Sequence, residues 1–403
     1  MTQGVVVIAL TLLLGIQPIT TDLYLPALPL LAQALDAPAA SAQLTLSALI
    51  ISFGVSQLFW GPVSDRFGRR PTLLIGLGLY TAAALGAALA PSMDWLITAR
   101  TLQGIGMGAA VACGRSVIRD LYEPREGARV MSQALAGLGL FAMAGPFVGA
   151  LVAKHSDWRY ALGVVTLFGV LTLAFIARRF TETLARKNPH AMRVGQIARN
   201  WWVIGRHPTF VAWTALTCAS WCGLFTMLST SSFVFIDVLG TSQVAYGLIL
   251  TSSSFFYTAG TFFCRFMLSR TNASRTVAIG GAFSLVGGVS LAAMSLTGVQ
   301  SVAAFLPAMW LFAIGHGIHQ PCGQAGVTSP FPDKAGTAAS LSGFAMMAAA
   351  FAAALVLGRN MNGTVFPLTL GMGVFGVLTA LVAWTLVRAH GDRQVHAPLP
   401  ASA

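Results

Sequence analysis

Long apolar stretches, almost free of charge, follow one another along this chain, separated by short clusters of charged and turn-forming residues. Apolar stretches of 18 or more residues read as membrane helices. Twelve are predicted, at 5–31, 42–61, 71–90, 94–117, 128–152, 159–178, 208–236, 244–267, 275–297, 301–326, 335–357 and 364–387. At about 20 residues each they use roughly 240 residues. The longest stretch left over, near 178–207, is too short for a soluble catalytic domain. The expected fold class is therefore an all-α polytopic membrane protein with 12 transmembrane helices in two six-helix bundles. The predicted divisions are an N-terminal bundle at 1–178, a basic linker at 179–207, a C-terminal bundle at 208–388 and a tail at 389–403. The first stretch has no Lys or Arg before it, so it lacks the basic region of a secretory signal peptide and is taken as the first span.

Composition agrees: 56% of the 403 residues are apolar and 9% are charged, against roughly 25% charged in a soluble domain. A net charge of +12 suggests nucleic-acid binding until its distribution is considered. With the N-terminus inside, 20 of the 24 basic residues fall in inner loops or helix ends, among them Arg115, Arg119, Arg125, Arg129, Lys187, Arg265 and Arg393. Only Lys154, Arg159 and Arg359 fall outside, and Arg100 lies within a span. That asymmetry is the positive-inside signature and predicts that both termini are cytoplasmic. No nucleic-acid partner is expected. The five cysteines, odd in number and all in apolar spans, make a disulfide framework improbable.

Between the second and third spans stands Gly61-Pro-Val-Ser-Asp65-Arg66-Phe-Gly68-Arg69-Arg70-Pro71. Gly68 can supply the positive φ that so short a turn needs, and Pro71 suits the first turn of the next helix. Arg69 and Arg70 can reach anionic headgroups, and Asp65 can pair with an arginine or a helix N-terminus. The string resembles the signature loop of the major facilitator superfamily. Arg100-Thr-Leu-Gln103-Gly104-Ile-Gly106 resembles the span-4 motif of its proton-driven members. Gly145-Pro146-Phe-Val-Gly149 resembles the span-5 core of drug/proton antiporters, with Phe141 and Ala150 where glycines are usual. Thr21-Asp22-Leu-Tyr24-Leu-Pro26-Ala-Leu-Pro29, Arg119-Asp120-Leu-Tyr122 and the run Ala335 to Ser340 resemble the Bcr/CflA subfamily. The resemblance implies two helical bundles rocking about a central cavity, and export of bicyclomycin, phenicols and other small drugs through the inner membrane.

Eleven of the twelve carboxylates fall in predicted loops or at span ends; Asp22 alone is embedded, and Arg100 is the only basic residue away from a predicted end. A charge in the bilayer costs at least about 2.5–3.5 kcal/mol, so such residues usually face a cavity and act in transport. The two are expected at similar depth, with Asp22 as the proton-coupling carboxylate. Arg100 is expected either to tune Asp22 or to hydrogen-bond the broken backbone near Pro18 or Pro26.

In the tenth span, Gly315-His316-Gly317-Ile318-His319-Gln320-Pro321-Cys322 allows three readings. They are a metal site, hydrogen bonding to substrate beside a helix that Pro321 breaks, and close packing on the glycines. Tyr24, His316, His319 and Gln320 are candidate cavity residues. Trp221, Phe225 and Tyr257 add aromatic surface of the kind that suits varied apolar ligands. The leading expectation is a monomeric proton-coupled drug exporter that is not an enzyme, with no cofactor and H+ as coupling ion. Export of a metabolite or metal ion, and a non-transporting receptor on the same fold, stay open.

Overall fold

The structure, a computed structural model, describes residues 1–155 and 157–391. The predicted tail from Asp392 onward, Arg393 included, lies outside the described residues, as do the side chains of Arg125 and Asp333. The first span is α1 (Gln3–Asp22), a 3-10 turn at Leu25–Ala27 and α2 (Leu28–Ala34). The break has a sequence cause: Pro26 and Pro29 cannot donate to the carbonyls four residues back, those of Asp22 and Leu25. Five further spans follow as α3 (Ala39–Phe67), α4 (Arg69–Ala88), α5 (Met93–Leu121), α6 (Pro124–His155) and α7 (Trp158–Arg179). The linker carries the short α8 (Val194–Gly205).

The second set is α9 (Pro208–Ser232), extended by a π turn at Phe233–Val238, then α10 (Gln243–Leu268), α11 (Ala273–Leu296) and α12 (Val302–Thr328). It ends with α13 (Ala335–Arg359) and α14 (Phe366–Val382), the latter continued through a second π turn to α15 (Arg388–His390).

Eleven of these stretches are long and apolar enough to cross a membrane. The twelfth, α10, has the length, 26 residues, but carries six serine and threonine side chains from Thr251 to Thr261. Ser252, Ser253, Thr258 and Thr261 bond carbonyls of their own helix, while Thr251 and Ser254 donate to the Met143 and Ala142 carbonyls of α6. These six hydroxyls are thus satisfied inside the protein, as the bilayer requires.

Helices α3, α5, α6 and α12 run past their apolar windows, and α3, α6 and α12 continue through prolines. Arg66 and Arg119, beyond the predicted ends of their spans, lie in helix ends, because helical hydrogen bonding continues after the apolar run stops. Pro321, expected to break its helix, does not: α12 is continuous through both Pro307 and Pro321.

Contacts sort the spans into two groups of six. In the first, α5 packs on α3 and α4, α7 on α4, and α1 on α6; in the second, α9 and α11 pack on both α12 and α14. The groups meet along α3 with α13 and along α6 with α10. Gly54 lies against Met347, and Gly247 lies against Ala150 and Pro146.

Candidate functional site

Asp22 is the last residue of α1 and is half-buried. Thr21 Oγ1 donates to its Oδ1 at 2.6 Å, and among the described residues no cation pairs with it. The span-5 motif is pressed on this break. Gly149 packs so closely on the Leu23 carbonyl that a Cβ there has no room, and Gly145 faces the Leu23 amide. The turn after Asp22 touches α6 of its own group and α9 and α10 of the other. The carboxyl therefore stands where the two groups meet.

Arg100 is fully buried in α5. Its Nη1 donates to Gln103 Oε1 at 2.8 Å and its Nη2 to the Thr20 carbonyl at 3.1 Å. The guanidinium carbon lies 4.1 Å from the centre of the Tyr24 ring, a cation–π geometry. Tyr24 is itself buried, its hydroxyl 3.0 Å from Thr45 Oγ1. Arg100 and Asp22 thus meet at one break in the first span, but through the backbone and Tyr24 rather than as an ion pair. Of the two expected roles, backbone capping is the one with geometry behind it, at Thr20. Gly104, one turn on, lies against Ser52 and the Leu49 carbonyl.

Truncation should expose this arrangement. Arg100→Ala leaves the Thr20 carbonyl unpaired, and an orphaned buried acceptor costs about 1–3 kcal/mol. Arg100→Lys retains one donor and the charge, so it should unfold at a temperature between wild type and Arg100→Ala in a thermal melt. If all three melt together, Arg100 does not hold the break.

The signature loop is a network around Arg69, which is 1% exposed. Its Nη1 donates to Ser64 Oγ and Asp65 Oδ1, both at 2.6 Å, and its Nε to Asp120 Oδ2 at 2.8 Å. Gly61 and Arg66 lie outside this knot: Gly61 has open space beside it, and Arg66 stacks over Phe67. Glu182 closes the network. Its carboxylate accepts from the backbone N–H groups of Arg69 and Arg70, the first residues of α4, and from those of Thr183 and Leu184. Gly68, with φ +113°, passes against this carboxylate where a Cβ would clash. Arg70 reaches the Ala177 carbonyl, and Thr183 Oγ1 donates to Asp120.

Partial burial pushes the Glu182 carboxyl up, but the four amide donors together outweigh it and hold it below the usual carboxylate range. A depressed carboxylate stabilises the fold above its unfolded value, near 4.3, and that contribution is lost as pH falls through the folded value. Glu182→Gln should therefore cost up to about 1 kcal/mol at neutral pH. The gap to wild type should narrow as pH falls below about 4.3 and close once pH is below the lower, folded value. A gap that does not narrow at all between about pH 7 and pH 3 in denaturant unfolding would contradict the capping role.

In the second group, His316 Nδ1 and His319 Nδ1 lie 2.8 Å and 3.2 Å from one hydroxyl, Ser220 Oγ, and His319 Nε2 lies 3.3 Å from the Val277 carbonyl. The rings of Trp221 and Tyr257 flank His316 at 5.9 and 5.5 Å. Both histidines and Gln320 are buried, and Gln320 Nε2 lies 3.7 Å from Met346 Sδ. Among the described residues no group of three or more His, Cys, Asp or Glu is placed to hold a metal ion. Neither Ser220 nor Glu182 stands out in the sequence. A serine in an apolar span and an acid in a basic linker look like packing and solvated loop until the partner is known.

The family model described as Major Facilitator Superfamily matches residues 10–355. Among curated relatives, the chain is 30% identical over 324 residues to the "Chloramphenicol resistance protein" of Pseudomonas aeruginosa, covering 78% of this chain and 74% of that one. It is 26% identical over 388 residues to the "Bicyclomycin resistance protein homolog" of Haemophilus influenzae, covering 94% and 95%. With "Multidrug resistance protein D" of Escherichia coli the identity is 27% over 337 residues, 83% of each. Of solved structures, the xylose transporter XylE from E. coli, in a partially occluded inward open conformation, superposes with a TM-score of 0.76 at 15% identity, covering 96% of this chain and 97% of that one. The chain is a multi-pass membrane transport protein, not an enzyme; it belongs to the major facilitator superfamily, alongside the Bcr/CflA-like proteins.

Proposed function

We propose that this transporter exports small drug-like molecules through the bacterial inner membrane in exchange for protons, with Asp22 carrying the proton. The observation that carries the proposal is the placement of Asp22: an embedded carboxylate, at a break in the first span, where the two groups of helices meet. Its partner is a neutral hydroxyl rather than a guanidinium, which leaves both protonation states open to it. An embedded acid with no cation is costly to keep and marks a proton or substrate path. The relatives' names, which speak of chloramphenicol, bicyclomycin and multidrug resistance, favour drugs over sugars or amino acids.

The basic residues favour an orientation with both termini and the linker in the cytoplasm. Rocking of the bundle at 1–178 against that at 208–388 about their shared faces would then expose Asp22 to each side in turn. Arg100 acts by holding the break that positions Asp22, and the Arg69 network acts by steadying one of the two states. His316, His319 and Gln320, with Trp221 and Tyr257, form the polar and aromatic wall of the second bundle that would meet the substrate. A drug-susceptibility panel in a host stripped of its own efflux pumps tests the proposal. Expression of the wild type should raise tolerance to at least one small antibiotic class, and tolerance unchanged across the panel would overturn it.

A further inference from the structure

Helix α8 is the one helix of the linker, and its two sides differ. Ile204 is buried in a cluster with Phe210, Trp213 and Ala338, and Ile197 and Trp201 are half-buried on the same side. The other side is a row at helical spacing, Arg199, Trp202, Val203 and Arg206, all exposed, with Trp202 at 62% and Val203 at 51%. Arg206 stacks its guanidinium on the Trp202 ring at 3.7 Å. At about 1.5 Å per residue the row is roughly 10 Å long, with a cation at each end and an aromatic between them.

We propose that this row binds the anionic headgroups of the inner leaflet. Two residues after α8 the chain enters α9, a membrane span, so the helix lies at headgroup level. A tryptophan set between arginines belongs to that layer: its ring is too apolar for bulk water and its N–H too polar for the acyl core. Charge complementarity selects anionic lipid. Residues 178–206 hold seven basic side chains and one acid, Glu182, and Glu182 is spent on the N-terminus of α4. Among the described residues neither Arg199 nor Arg206 pairs with a carboxylate. The row is joined to the moving parts. Helix α8 packs on α13 as well as α9, and Gly336, near the start of α13, lies against the Arg119 guanidinium of α5. Lipid held by α8 therefore steadies the end of α13 that meets the first bundle.

The inference rests on the cytoplasmic orientation proposed above but not on the substrate or the coupling ion, so its test reads no transport. Hydrogen–deuterium exchange is followed in the full chain in nanodiscs of phosphatidylcholine, with and without phosphatidylglycerol. Two arginines near an anionic surface should slow exchange of the 194–205 amides roughly thirty-fold, and added salt should weaken the effect. The double variant Arg199→Gln, Arg206→Gln should lose the lipid dependence while the amides of α9 to α14 exchange as in wild type, which shows that the fold is intact. Equal exchange in the two lipids would overturn the proposal, as would a phosphatidylglycerol effect that survives in the double variant. Protection that appears only when cytosolic protein is added would assign the row to a protein partner and overturn it equally.

Discussion

Asp22→Asn is expected to abolish concentrative export while leaving a folded, membrane-inserted protein. The amide keeps the size of the carboxyl and can still accept from Thr21 Oγ1, the one side-chain partner of Asp22 among the described residues, so the break at Leu23 to Ala27 has no reason to move. What it loses is the ability to gain and release a proton. Every other described acid lies nearer a span end or in a loop, and the two nearest in function, Asp65 and Asp120, are held by Arg69. Among the described residues, no second carboxylate can stand in. Tolerance in the pump-deleted host should drop to that of the empty vector, with expression and melting temperature unchanged. Asp22→Glu should keep part of the activity. Unaltered tolerance for Asp22→Asn at normal expression would remove Asp22 from the mechanism.

Arg69→Ala should produce the second-largest effect, and of a different kind. The side chain is buried and satisfies Ser64, Asp65 and Asp120 together. Removing it leaves Asp120, 10% exposed, without its cation. Breaking a buried pair from one side costs about 3–5 kcal/mol, the lower end applying here because Asp65 is 40% exposed. Arg69→Lys should rescue little, since a compact ammonium cannot span acceptors that the planar fork reaches from separate nitrogens, Asp120 from Nε and Ser64 and Asp65 from Nη1. The network ties α4 to α5 and the linker, far along the bundle from Asp22. Turnover should therefore fall much more than substrate affinity, and Asp65→Asn should do the same more weakly. Lost affinity with normal turnover would contradict a role in the conformational cycle.

Fold class was legible because the bilayer leaves so few options: long uncharged runs can only be spans, and their number and the basic clusters between them set the architecture. Helix ends were not, since Arg66 and Arg119 are helical although no apolar window reaches them. Pro26 and Pro29 mark the break in the first span, yet Pro307 and Pro321 break nothing. Proline identity alone does not say whether packing will hold a helix together across a missing hydrogen bond. Asp22, Arg100 and the loop stood out as charges in improbable places. Their partners did not. The Thr20 carbonyl that Arg100 binds is backbone, and Glu182, 113 residues along the chain from Arg69, is joined to it only by the fold.

The central claim, one proton exchanged at Asp22 for each substrate molecule, is tested most directly by vesicle export with the pH gradient and the membrane potential set independently, using valinomycin and potassium. A neutral substrate leaving against one entering proton moves one net charge inward, worth about 2.3 kcal/mol per 100 mV; a monovalent cation moves none. Export of the neutral substrate should respond to both gradients, export of the monocation to the pH gradient alone, and Asp22→Asn should respond to neither. Export that ignores the pH gradient, or a monocation whose export follows the potential steeply, would contradict it.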